Sequence, residues 1–340
     1  MSTAGTQRKL DITQSSKLYA QLAKDFSAKI VGQEEATQAL LNIVESHQAG
    51  FSDASHPAGV ALFLGPTGTG KTLVAETLAA SLLGSKLACL RIDCAEYQHG
   101  HEIAKLVGSP PGYLGHRETH PLLTQEALNQ WHTDKMKLSI LLFDEIEKAS
   151  DTLWALLLGI LDNATVTLGD NRKVNFSNVI IVMTSNLGAR KMSSRDIGFM
   201  DPSEETDNAR METQARSAAK SKFSPEFMNR LQSIVVFKTL SEEQIENILE
   251  LELKALEYRL FMVSKPFFTI AVSPKAKRTL LAEGYDKAYG ARYLKRTIER
   301  RIQQPLARLA ASGQVAEHDK IIIDDLGDKS FEFYVQGRNL

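Results

Sequence analysis

The sequence is short of cysteine, of any surplus of one charge sign, and of long apolar runs. Its 340 residues include two cysteines, Cys89 and Cys94. Two thiols cannot build a disulfide scaffold, and a reducing cytoplasmic setting is the expectation. Forty Lys and Arg stand against 41 Asp and Glu, a formal net charge of −1. That balance argues against a nucleic-acid coat protein or a basic membrane binder. The longest apolar stretch, around Leu153–Leu161, falls far short of the roughly 20 residues a membrane helix needs. The opening MSTAGTQRKLDITQSS lacks the apolar core of a secretory signal. What remains is 43% hydrophobic and 24% charged residues, an ordinary globular mix able to bury a sizeable core. At roughly 100–200 residues per domain, the length predicts about two domains.

Apolar runs at Gly59–Leu64, Ala88–Ile92, Leu138–Phe143, Val179–Met183 and Ile234–Phe237 read as strands buried on both faces of a parallel sheet. Helical patterns such as Leu73–Leu83 and Thr152–Leu161 lie between them, so the expected fold class is α/β. Residues 1–20 are expected to form a flexible N-terminal segment, although helical spacing runs from Ser16 to about Ser27. Residues 21–238 form the large domain. Near 239 the pattern changes: Ser241 and Gln244 make a capping box, and Ile245, Ile248, Leu249, Leu253, Leu256 and Leu260 recur at helical spacing. A strand at Phe267–Val272, helices from Pro274 and Ala291, and strands at Lys320–Ile323 and Phe331–Val335 complete a small, mainly helical domain over 239–340. The polar stretch Met192–Lys222 reads as a mobile insertion.

The chemistry is concentrated after the first and third strands. Gly65-Pro66-Thr67-Gly68-Thr69-Gly70-Lys71-Thr72 fits G-x-x-x-x-G-K-[ST] between a strand and a helix. Glycines let backbone N–H groups curl around phosphate oxygens, and the following helix N-terminus adds positive potential. Lys71 is placed for the β- and γ-phosphates of ATP and Thr72 for Mg²⁺. The strand at 138–143 ends in Asp144-Glu145. Asp144 suits the Mg²⁺ shell, and Glu145 is the candidate to polarise the attacking water. Asn186 ends the next strand, Arg230 precedes the last, and Arg292 opens a helix of the small domain.

Taken in order, these pieces resemble the AAA+ superfamily, and within it the second ATPase module of the Clp unfoldases ClpA, ClpB and ClpC. The resemblance runs from about Ile30 to Ile323. It rests on Ile30-Val-Gly-Gln33, GPTGTGKT, Leu106-Val-Gly-Ser-Pro-Pro-Gly-Tyr-Leu-Gly115, LLFDEIEKA, MTSNLG, Ser224-Pro-Glu-Phe-Met-Asn-Arg230 and Gly284-Tyr-Asp-Lys-Ala-Tyr-Gly-Ala-Arg292. It implies a five-stranded parallel sheet with a helical lid. It also implies an adenine strip at Ile30 and Val31, catalytic acids at Asp144 and Glu145, and a water-positioning sensor at Asn186. Arg230 matches an arginine finger that reaches a neighbour's γ-phosphate, and Arg292 a second sensor. Gly112, Tyr113, Leu114 and Gly115 match the substrate pore loop, and Leu168–Lys173 lies where a second pore loop is found. Ile197, Gly198 and Phe199 resemble the tripeptide with which relatives dock a ClpP-like peptidase.

The function this implies is an ATP-dependent unfoldase that threads protein substrates through a homo-hexameric ring, with a peptidase or an adaptor as candidate partners. The alternative is an assembly or scaffold factor dedicated to one complex, without threading. The length has room for one motor module, so a single ring is expected; the N-terminal domain, first ATPase module and disaggregase coiled coil of the larger relatives have no counterpart in it. A nucleic-acid motor would need a basic channel, which the charge balance does not favour. His99, His101, His116 and His120 lack the acidic or cysteine spacing of a zinc site. Lys295, Arg296, Arg300 and Arg301 read as a solvated or inter-subunit helix face. Cys89 and Cys94, an odd number of residues apart, are expected on opposite faces of a strand.

Overall fold

The apolar runs become one parallel sheet in a computed structural model that describes residues 10–109, 120–187, 204–263, 266–285, 290–327 and 330–336. The chain begins with α1 (Lys17–Ser27), α2 (Glu34–Gln48), β1 (Gly59–Leu64), α3 (Lys71–Leu83), β2 (Cys89–Asp93), α4 (Ala104–Val107) and α5 (Gln125–Asn129). It continues through β3 (Ser139–Asp144), α6 (Asp151–Asn163), the hairpin β4 (Thr165–Thr167) and β5 (Lys173–Asn175), β6 (Val179–Ser185), α7 (Glu204–Lys222), α8 (Pro225–Met228) and β7 (Ser233–Val236). The small domain contains α9 (Glu242–Val263), β8 (Thr269–Val272), α10 (Pro274–Gly284), α11 (Arg292–Ile298), α12 (Gln304–Ala311), β9 (Lys320–Asp325) and β10 (Phe331–Val335). No helix among the described residues is long and apolar enough to cross a membrane.

The large sheet has the order β2–β3–β6–β1–β7, and every neighbouring pair is parallel. β1 and β6 are buried along their whole length, which is why they are almost entirely apolar. Alternation sends Val60, Leu62, Leu141, Phe143, Ile181 and Met183 to one face, under α6 and α7. Ala61, Phe63, Ile140, Leu142, Ile180 and Val182 go to the other, under α1, α2 and α3. Cys94, in the turn just past the end of β2, joins the first cluster and Cys89 the second, so they lie on opposite sides as expected. Burial pushes the Cys89 thiol up to about 12, so it is a packed side chain and not a reactive one.

The connection leaving β1 packs on one face and the helix that follows β6 packs on the other. The two strands are neighbours, so a crevice opens at their carboxyl ends, where ligands bind in open α/β sheets.

One expectation is corrected. Within Met192–Lys222, read above as a mobile insertion, residues 204–222 form the 19-residue helix α7. Met211, Ala215, Ala219 and Phe223 follow at four-residue spacing, and all four are buried. Two of them are alanines, so the stripe is easily lost in a polar segment. Residues 192–203 lie outside those described.

The small domain has its own core, formed by Ile245, Leu249, Leu253, Leu280, Leu294, Ile302 and Ile321. Its sheet has the order β10–β9–β8, with β8 and β9 parallel and β9 and β10 antiparallel. The predicted capping box is present: Gln244 N–H donates to Ser241 Oγ at 3.3 Å, and Ser241 N–H to Gln244 Oε1 at 3.0 Å.

Phe227, in α8, is fully buried, with its ring 4.9 Å from Trp154 and 5.4 Å from Phe223. Phe227→Ala is expected to destabilise the large domain by about 3–5 kcal/mol, the usual cost of emptying an aromatic site. A lowered denaturant midpoint followed by tryptophan emission checks this; an unchanged midpoint refutes the packing role.

Candidate functional site

The crevice beyond β1 is floored by the glycine-rich loop. Gly65, Gly68 and Gly70 have φ of 137°, 79° and 100°, conformations that L side chains rarely adopt. They turn the chain directly into α3, whose N-terminus faces the crevice. Lys71 opens α3 and is buried. Its ammonium donates to Gly65 O at 2.8 Å, Pro66 O at 2.7 Å and Asn186 Oδ1 at 2.9 Å, one acceptor for each N–H. Burial pulls its pKa down to about 8, and the negative charges of Asp144, Glu147 and Glu145 offset part of that loss.

The acids come from the ends of the neighbouring strands. Asp144 closes β3, and one of its oxygens accepts the Thr184 hydroxyl at the end of β6. Its other oxygen accepts Arg91 Nη2 at 2.5 Å, from β2. Glu145 then takes φ 55° and ψ 49°, left-handed backbone that is strained for a side-chain-bearing residue. Its N–H donates to Thr184 Oγ1 at 3.1 Å, so one hydroxyl ties both acids. Glu145 Oε1 accepts Asn186 Nδ2 at 3.1 Å, and Oε2 pairs with Lys148. Glu147 Oε1 accepts the Asn186 backbone N–H at 3.1 Å. Its Oε2 is buried without a partner among the described residues.

The small domain touches this loop through main chain. Ala291 N–H points at Gly68 O, 3.3 Å away. A Cβ on Gly290 would lie 2.8 Å from that same oxygen, so only glycine allows the approach. Arg292 follows as the first residue of α11, and its charge is felt at Lys71. On the other flank Gln33 pairs with the main chain of Lys238 in both directions, at 3.0 and 3.2 Å. Gly32, just after Ile30 and Val31, lies against the Gln244 side chain.

Lys71, Asp144, Glu145 and Asn186 are thus brought together at one edge of the sheet, with the loop from Gly65 to Thr72, including Pro66, Thr67 and Thr69, beneath them. Arg230 is engaged elsewhere. Its guanidinium forks onto Asp162 and also bonds Glu226 O at 2.6 Å and Glu226 Oε1 at 3.1 Å. Gly112, Tyr113, Leu114 and Gly115, with His116, lie outside the described residues, as do Ile197, Gly198 and Phe199. Leu168–Lys173 forms the turn of the β4–β5 hairpin, and Gly169 N–H donates to Val107 O at 2.7 Å, near the start of the Tyr113 segment. Three members of the basic run are paired within the chain: Lys295 with Glu252, and Arg300 and Arg301 with Glu283. The rings of His99 and His101 stack at 5.9 Å.

The donor set fits a magnesium nucleotide. The loop amides and Lys71 suit phosphate, while the Asp144 carboxylate and Thr72 hydroxyl are hard oxygen donors of the kind Mg²⁺ takes. Among the described residues no group of three or more His, Cys, Asp or Glu is placed to hold a metal ion. A Mg²⁺ ion here would depend on phosphate and water for its remaining ligands.

Several residues of the site were not singled out from the sequence. Arg91 had a signal, being the one charge inside the run Ala88–Ile92. Thr184 lies two residues before Asn186, but its double hydrogen bond depends on strand register. Glu147 and Lys148 look like a solvated turn in the sequence.

Comparison with known proteins agrees with this geometry. Residues 56–234 match the family model of the AAA domain (Cdc48 subfamily), and residues 240–323 that of the C-terminal, D2-small domain of ClpB protein. The chaperone protein ClpB of Propionibacterium freudenreichii is 39% identical over 296 residues, 87% of this chain and 32% of that protein. The ATP-dependent Clp protease ATP-binding subunit ClpC of Staphylococcus aureus is 36% identical over 329 residues, 96% of this chain and 38% of that protein. The chain therefore spans about a third of the length of these relatives. A closed-state cryo-EM reconstruction of Hsp104 with ATPγS and FITC casein superimposes with a TM-score of 0.78 at 31% identity, over 96% of this chain and 53% of that one. With a phosphate loop, paired acids and a lid resting on Gly68, matched by family models on both sides of the 234–240 junction, the chain belongs to the Clp/Hsp100 family of AAA+ ATPases and resembles the D2 module of ClpB and ClpC.

Proposed function

We propose that this chain is the motor of an ATP-driven protein-remodelling machine that pulls polypeptide through a hexameric ring. The observation that carries the reading is the convergence of Lys71, Asn186, Glu145 and Asp144 beneath a small domain in main-chain contact with the phosphate loop. In this reading residues 21–238 are the ATPase domain and 239–340 the lid. Ile30 and Val31 hold adenine, and the amides of residues 65–72 hold the phosphates. Thr72 and Asp144 would hold Mg²⁺, which when bound neutralises phosphate charge. Asn186 orients the attacking water, and Glu145 accepts its proton. Arg230 acts on a neighbouring subunit's nucleotide, and Arg292 carries nucleotide state into the lid. Two names support the reading: ClpC is called an ATP-binding subunit of a protease, and the Hsp104 reconstruction contains both ATPγS and casein. On that basis Tyr113 grips substrate, and Ile197, Gly198 and Phe199 offer a peptidase contact.

Glu145→Gln is expected to bind ATP and assemble while hydrolysis falls by about 100-fold or more, the range of a lost general base. Parental turnover in that variant would overturn the assignment. Tyr113→Ala is expected to keep ATPase activity and lose unfolding of a tagged substrate; intact unfolding would remove the threading role. The pH dependence of binding follows from Lys71. Its charged form attracts phosphate, and its pKa is about 8, so nucleotide affinity is retained below that value and falls as pH rises through it. One linked proton limits the slope to about tenfold per pH unit. Calorimetry in buffers of different ionisation enthalpy should show proton uptake on binding above pH 8; its absence would mean Lys71 stays charged.

A further inference from the structure

The left-handed turn at Glu145 has a second consequence. It doubles the chain back so that Glu147, two residues on, returns its carboxylate to the catalytic edge. There Glu147 Oε1 accepts the backbone N–H of Asn186 at 3.1 Å. Asn186 is the hub of the chamber. Its Oδ1 accepts a hydrogen bond from the Lys71 ammonium at 2.9 Å, and its Nδ2 donates to Glu145 at 3.1 Å. The amide thus spans the group that meets phosphate and the group that meets water. Its aim depends on where the backbone of residue 186 sits, just past the end of β6, where the ladder no longer fixes it. Ser185 is still tied, its carbonyl to Gly65 N–H at 3.2 Å and its hydroxyl to Leu187 N–H at 3.2 Å, and Glu147 holds the N–H of residue 186 itself.

Burial of the second oxygen supports a site role over a casual surface bond. Oε2 of Glu147 is buried and has no hydrogen-bond partner among the described residues. A buried carboxylate oxygen left without a hydrogen bond is unfavourable. Its negative charge acts on Lys71 more strongly than that of Glu145 does.

We propose that Glu147 is a positioning residue of the hydrolytic site, holding the Asn186 backbone so that the Asn186 amide bridges Lys71 and Glu145. The proposal rests on the ATPase reading above. Glu147→Met keeps the side-chain length and removes the unpaired oxygen, so the fold should tolerate it. In the full chain it is expected to lower kcat about tenfold or more with KM and ATPγS affinity within about twofold, the pattern of a contact that matters in the transition state. Glu147→Gln keeps a carbonyl acceptor for the N–H and should recover most of kcat. In an Asn186→Ala background Glu147→Met should cost nothing more, because both changes act through one group. Amide exchange at residue 186 in nucleotide-free protein should also be faster in Glu147→Met, whatever the activity. Parental kcat in Glu147→Met, failure of Glu147→Gln to recover, a multiplicative double variant, or unchanged exchange would each overturn the proposal. Glu145→Gln separates the two failures. If it turns over like the parent, the ATPase assignment falls and the exchange measurement alone decides Glu147. If it is inactive and Glu147→Met is not, only the present inference falls.

Discussion

The burial of one ammonium group organises the site. Lys71 is withdrawn from water by the loop that precedes it and the strands beside it, and burial lowers its pKa to about 8. A charge in that position needs every N–H paired and opposite charge nearby. Two acceptors come from its own loop, Gly65 O and Pro66 O. The third must come from another strand, and Asn186 supplies it. The compensating charges sit at and just past the end of β3. This arrangement requires β1, β3 and β6 to run in the same direction and end together, which a parallel sheet with two covered faces provides.

The same edge explains why the acids are held so closely. Asp144 and Glu145 are adjacent in sequence and would turn to opposite faces of a continuing strand. The left-handed residue at 145 ends the strand instead, and the Thr184 hydroxyl fastens the result by accepting from Glu145 N–H while donating to Asp144. Arg91 occupies the remaining Asp144 oxygen. A guanidinium there holds the carboxylate in one rotamer and stands where a divalent cation would compete for it. The small domain meets the phosphate loop by backbone at Gly68, so a shift of the loop can reach α11 through main chain.

The sequence was most readable where chemistry and conformation impose the same residues. GPTGTGKT needs glycine for its dihedral angles and lysine for its charge, and no packing context changes either demand. The central strands β1, β3 and β6 were readable because burial on both faces leaves mostly Val, Ile, Leu and Phe, while the edge strands β2 and β7 are only partly buried. Cys89 and Cys94 lie on opposite sides of the sheet as expected, with Cys94 just past the end of β2. Helix α7 was not readable, because its buried stripe of Met211, Ala215 and Ala219 carries little hydrophobic contrast. Thr184 and Glu147 were hidden for another reason, and Arg91 was marked only as a lone charge in an apolar run, without its partner. Each acquires its role from a strand register or a turn that brings together residues about 40 to 50 positions apart. A threonine in a strand or a glutamate in a turn has no mark of its own.

Arg230 is engaged within its own protomer. Four donor contacts of its guanidinium are already taken, by both oxygens of Asp162 and by the carbonyl and carboxylate of Glu226. The Asp162 carboxyl is held below its ordinary range by this pairing, and the guanidinium is raised. If Arg230 serves a neighbour's phosphate, it exchanges one bidentate oxyanion for another. The number of charge-assisted bonds then changes little. The balance turns on desolvation and on what Asp162 does once released. Under the proposed function, an exchange with little change in bond number would be sensitive to the position of the neighbouring γ-phosphate. That is the property a ring needs if each subunit is to respond to the nucleotide held by the next.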